Sequence, residues 1–117
     1  PMEHLRARLE AAGVVGSRAL ETLEPGQLCV VAGLVVARQH PVTANGTVFV
    51  LLEDEGGFIN VIVPAALYQA NREVVSHTPF LLVEGRFERD GAAVNVVGRR
   101  FRRLEARPLA YRSRDFR

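Results

Sequence analysis

Apolar residues in this chain gather into five runs separated by turn-forming clusters, and within most runs they alternate with polar positions. Leu28–Gln39 is a long, Val-rich run with Gly33 inside it. Glycine inside a strand marks a bulge or a sharp bend. The loop over residues 40–46 follows and ends in Asn45-Gly46, a strong hairpin signal. Residues 47–54 read as a second strand, Glu55-Gly56-Gly57 turns the chain, and Phe58–Val63 reads as a third. Residues 79–88 and 92–104 form the fourth and fifth, joined by a tight Asp90-Gly91 turn. Between the third and fourth runs, Leu67, Ala70 and Val74 give a helical apolar face up to about Val75. Pro64 suits the first turn of that helix. Ahead of the strands, Leu5, Leu9 and Ala12 predict a short amphipathic helix over 2–12, with Gly13 as its stop. Ser17 is placed to cap a second short helix through Leu23, and Pro25-Gly26 marks a turn.

This order predicts an all-β, five-stranded barrel with a helix between strands three and four and short N-terminal helices. That is the order of the OB fold. Residues 1–26 read as a helical linker, 27–104 as the barrel and 105–117 as a basic, weakly ordered tail. Pro1 in place of a starting Met points to a segment of something longer.

Side-chain alternation then assigns the faces. Val48, Val50 and Leu52 share one side of the second strand, and Ile59, Val61 and Val63 share one side of the third. These aliphatic sets suit the barrel interior. Phe49, Phe58 and Asn60 are left pointing outward on adjacent strands. An outward ring offers a stacking platform for an unpaired base, and an asparagine amide carries both a donor and an acceptor for a base edge. The competing reading packs the two rings on each other or under the N-terminal helix, and leaves Asn60 paired to a neighbouring backbone group.

Charge sharpens this picture. The 117 residues contain no lysine, and their arginines are unevenly placed. Residues 1–85 carry five arginines against nine acids, whereas residues 86–117 carry ten against four. A basic final third attracts phosphate, and arginine can also stack on bases. Arg86 and Arg89 are candidates for the rim of the groove. Arg99, Arg100, Arg102 and Arg103 form a dense run at the end of strand five. Since neighbouring strand residues face opposite sides, a charged edge that blocks strand pairing explains part of that run equally well.

Other chemistry is weakly signalled. His4, His40 and His77 are scattered, and with one cysteine they make no zinc spacing. Glu53-Asp54-Glu55 reads as a solvated turn. Gly56-Gly57 lacks the length and the lysine of a phosphate loop, and no Ser-His-Asp or Cys-His set is apparent. No catalytic centre, metal or cofactor is therefore expected in this chain. Cys29 has no second cysteine to bridge and reads as a buried, reduced residue. No apolar run reaches bilayer length and no signal peptide is evident. These points predict a cytoplasmic protein with no membrane partner.

The order of several pieces also carries a family resemblance: Val31-Ala32-Gly33-Leu34-Val35, Arg38-Gln39-His40-Pro41, Phe49, Leu52-Glu53-Asp54-Glu55-Gly56 and Asn60-Val61-Ile62-Val63. Together they resemble the OB module of the tRNA-anticodon-binding type, found in C-family bacterial DNA polymerases and some aminoacyl-tRNA synthetases. Within that group the chain looks like the C-terminal region of bacterial error-prone polymerases, and Ser113-Arg114-Asp115-Phe116-Arg117 resembles their ending. One departure is Pro64-Ala65-Ala66, which stands where the family usually carries an aromatic residue. The resemblance implies that Phe49 stacks on a base, that Asn60 contacts a base edge and that Arg38 contacts the nucleic acid. It implies a single-stranded DNA-binding accessory domain of a translesion polymerase whose catalytic domain lies elsewhere. Two alternatives stay open. One is a docking module for other polymerase domains or mutagenic-repair proteins, built on Phe49, Leu51, Phe58 and Ile62. The other is an RNA or anticodon reader.

Overall fold

The computed structural model describes residues 13–105. The elements run α1 (Ser17–Leu20), β1 (Leu28–Gln39), a 3-10 turn (Val42–Ala44), β2 (Val48–Glu53), β3 (Phe58–Val63), α2 (Ala65–Ala70), α3 (Arg72–His77), β4 (Phe80–Asp90) and β5 (Ala93–Arg103). The expected helix over 2–12 and the tail beyond Glu105 lie outside the described residues. The five strands close into a barrel in the order β1-β2-β3-β5-β4. All neighbours are antiparallel except β3 and β5, which meet in parallel at Val61–Val96 and Ile62–Val97.

Closure depends on β1 serving two neighbours. Its first half, Leu28–Leu34, pairs with β4, and its second half pairs with β2. The change of partner falls at Leu34, which is in register with both Phe80 and Glu53, immediately after Gly33. A Cβ on Gly33 would sit 2.6 Å from the Glu53 carbonyl oxygen, a contact that only a residue without a side chain escapes. A bulge at Val36 follows between Val35 and Ala37, and bulges of this kind increase local twist. The bend expected from Gly33 is thus the corner of the barrel. A second corner lies where β4 and β5 shift register beside Gly85, whose Cβ position is occupied by the Val97 carbonyl.

The interior follows the alternation. Val48, Val50, Leu52, Ile59, Val61 and Val63 are all buried, joined by Val31, Leu81, Val83, Phe87 and Val96. Full burial of each such side chain contributes about 1.5–3 kcal/mol relative to exposure. Two caps complete the core. Leu20 of α1, with Val15 and Leu23, packs at one end, and Val75 of α3, with Leu67 and Tyr68, packs at the other.

Local differences from the sequence expectations have identifiable causes. The helix after β3 is broken into two at Asn71, which leaves the helical region (φ −125°, ψ 25°); its backbone N–H and its side-chain amide both donate to the Leu67 carbonyl, at 2.9 and 2.8 Å. Ser17 does not cap α1 with its side chain; the helix begins at Ser17 and is shorter than expected. Asp54 supplies the cap from the β2–β3 turn instead. Its carboxylate accepts from the Ser17 backbone N–H and hydroxyl, both at 2.7 Å, and from the N–H groups of Gly56 (2.8 Å) and Gly57 (3.0 Å). The reading of Glu53-Asp54-Glu55 as a merely solvated turn therefore fails at Asp54, which fastens α1 to the barrel. Asn45 (φ 53°) and Gly46 (φ 91°) take the left-handed conformations expected of the hairpin signal, behind the short 3-10 turn.

Candidate nucleic-acid interface

The outer wall of β1, β2, β3 and β5 is concave. Phe49 lies between Gln39 of β1 and Ile62 of β3, and Leu51 lies between Ala37 and Asn60. Asn95 of β5 faces outward because its neighbours Val94 and Val96 turn toward the core. Together these residues line a groove of about 470 Å³: Ala37, Gln39, Phe49, Leu51, Asn60, Ile62 and Asn95, with backbone from Val50 and Val61. Phe49 is half-buried and belongs to neither core cluster. Its ring is on the outer wall and is not sealed inside the cylinder.

The chemistry of this groove is apolar and amide, without formal charge. Among the described residues, the side chains of Gln39, Asn60 and Asn95 have no protein hydrogen-bond partner. Their donors and acceptors are open to solvent or ligand beside the ring. Phe58 shares the face but stands outside the lining residues, opposite Glu53 and 60% exposed.

The arginines divide into committed and open groups. Arg38 pairs with Val50 on the inward register, and its guanidinium turns away from the groove. It donates to the carbonyls of Val75 at 2.7 Å and Thr78 at 2.9 Å. Val75 needs this donor: the residue four positions on, which would bond its carbonyl in a helix, is Pro79, and proline has no N–H. Arg86 is paired with Glu88 at 2.6 Å. Arg89 donates to the Glu21 carbonyl at 3.0 Å and lies over the Phe87 ring. Arg99 and Arg100 are exposed on β5, with no ion-pair partner among the described residues. They begin two residues beyond Val97, about 7 Å along the strand, at the same end of the wall as Phe49.

Of the eight site residues expected from sequence, the groove thus gathers Phe49 and Asn60. Arg99 and Arg100 flank it, Phe58 stands above it, and Arg38, Arg86 and Arg89 are engaged elsewhere. Gln39 and Asn95 were missed. The signal for Asn95 was present, since a lone amide within Val94-Asn95-Val96-Val97 must face outward, as Asn60 does between Ile59 and Val61. Among the described residues no group of three or more His, Cys, Asp and Glu side chains is placed to hold a metal ion. No described helix is long and apolar enough to cross a membrane.

A closed five-stranded barrel, with its helical connection between the third and fourth strands and a concave outer wall, is an OB-type domain. The OB neighbour with TM-score 0.65, the asparaginyl-tRNA synthetase from Pyrococcus horikoshii, matches 80% of this chain with 23% of its own at 16% identity, a likeness of fold. No family model matches the chain. Over its full length the chain is nonetheless similar to a segment of error-prone DNA polymerases. It is 38% identical to that of Mycobacterium bovis over 117 residues, and 44% identical to that of Caulobacter vibrioides over 106. It spans about a tenth of those relatives, 11% and 10% of their lengths.

Proposed function

We propose that this barrel is an accessory domain of an error-prone DNA polymerase and that it holds single-stranded DNA in the outer groove. The observation that carries the reading is the Phe49 ring, displayed on the wall of an OB barrel beside unpartnered amides. Stacking on one aromatic ring contributes about 1–3 kcal/mol per base and tolerates any base. Arg99 and Arg100 are suited to meet phosphates of the same strand as it leaves the ring, and they give the binding its salt dependence. Homology to polymerases that act on DNA supports DNA over RNA as the ligand. The polymerase chemistry itself is assigned to parts of the larger protein beyond this segment.

The test is a titration of the 117-residue chain with labelled oligo-dT at low and moderate salt. The reading expects saturable binding that weakens as salt rises, and a loss of about tenfold or more in Phe49→Ala. No binding at low salt, or unchanged affinity in Phe49→Ala, would remove it.

A further inference from the structure

The groove and the arginines are separate in chemistry, and that separation has a consequence for selectivity. Every side chain lining the groove is uncharged. Three of them are primary amides on three different strands, Gln39 on β1, Asn60 on β3 and Asn95 on β5, and Phe49 and Leu51 of β2 lie between the first and the other two. Each amide presents two N–H donors and a carbonyl acceptor. The unpaired edge of a base presents the matching groups, and that edge is hidden once the base is paired. A surface that only tracked a phosphate backbone would place arginines along the groove, and none lines it.

We infer that the groove reads the hydrogen-bonding edge of one unpaired base stacked on Phe49, with Asn95 and Gln39 joining Asn60 as specificity-determining residues. This rests on the reading above and deepens it: the domain prefers some bases over others. Amides on opposite sides of the ring meet the base from two directions, so a wrong base leaves at least one amide unpaired in a partly desolvated site. A well-placed amide pair discriminates between bases by about tenfold or more. Because the readers are neutral, discrimination is independent of salt, whereas overall affinity is not.

The experiment measures affinity of the full chain for oligo-dT, oligo-dC and oligo-dA at low and moderate salt. The wild type is expected to span about tenfold or more between best and worst ligand, with the spread preserved as salt rises. Asn95→Leu, which keeps the bulk and removes the amide, narrows the spread, and Asn95→Asp, which replaces donors by acceptors, reorders it. Both variants keep the wild-type melting temperature, because the Asn95 side chain bonds to no described residue. Equal affinities for the three oligomers with binding retained would overturn the inference and leave the proposed function standing. A spread that collapses with salt, or that survives unchanged in both Asn95 variants, would also overturn it. Failure to bind any oligomer would overturn both.

Discussion

Replacing Arg38 by alanine removes two charge-assisted hydrogen bonds at once, and the structure says which carbonyls are left behind. The Val75 oxygen has no helical partner because Pro79 follows four residues later, and Val75 and Thr78 are both buried, at 0% and 4% exposed. A hydrogen bond from a charged group contributes about 1.5–3 kcal/mol, and stranding a buried carbonyl carries a penalty of its own. Arg38 is half-buried, so solvent offsets part of this, and a net loss of about 3 kcal/mol is expected. With a urea m-value of about 1.5 kcal/mol/M, the midpoint of unfolding falls by about 2 M. Arg38→Lys restores only part of the loss, since an ammonium cannot span two carbonyls with a rigid fork. Single-stranded DNA affinity, measured well below the unfolding transition, is expected to stay within about twofold of wild type. A midpoint shift below about 0.3 M would refute the anchoring role. A large loss of affinity in a fully folded variant would instead return Arg38 to the interface.

Three further outcomes follow from the same packing. Asp54→Ala leaves four donors without their acceptor and frees α1, at a cost of about 2 kcal/mol, read as a fall in Tm of about 10 °C; a change of one or two degrees would contradict it. Gly33→Val drives a side chain into the Glu53 backbone, which cannot retreat without opening the β1–β2 ladder, so a loss of at least about 2 kcal/mol is expected by urea unfolding. Burial pushes the Cys29 thiol above its ordinary range. A folded pKa above the unfolded one gives stability that is complete below the ordinary thiol value of about 8.5 and declines as pH rises past it. Urea midpoints compared between neutral and alkaline pH are expected to fall more steeply in wild type than in Cys29→Ala, and equal slopes would contradict the burial effect.

The barrel was legible because its signals are local and redundant. Gly33 inside a Val-rich run, the Asn45-Gly46 and Asp90-Gly91 turns, and strict alternation in β2 and β3 each specify the same geometry. The limits of β1 and β3 match the expected runs residue for residue. Alternation also placed Phe49 and Asn60 on the outer wall. What stayed hidden depends on contacts between distant residues. Arg38 looked available because nothing in its neighbourhood reveals that Val75, 37 residues away, lacks a helical donor. Asp54 looked solvated because its partner Ser17 lies 37 residues earlier. The two-helix break at Asn71 is one residue leaving the helical region, a local event masked by the regular spacing of Leu67 and Val74. Charge counting pointed to the final third of the chain, yet Arg86 is held by a neighbouring carboxylate and Arg89 by the Glu21 carbonyl just past the end of α1. Composition cannot separate such held arginines from open ones.

The central claim is that nucleic acid occupies the outer groove, and amide chemical-shift mapping of the isotope-labelled chain during titration with a short single-stranded DNA tests it most directly. The account predicts the largest perturbations at Gln39, Phe49, Leu51, Asn60, Ile62 and Asn95, with smaller ones at Arg99 and Arg100. Perturbations confined to the arginines of β4 and β5, with the Phe49 and Asn60 signals unmoved, would contradict it.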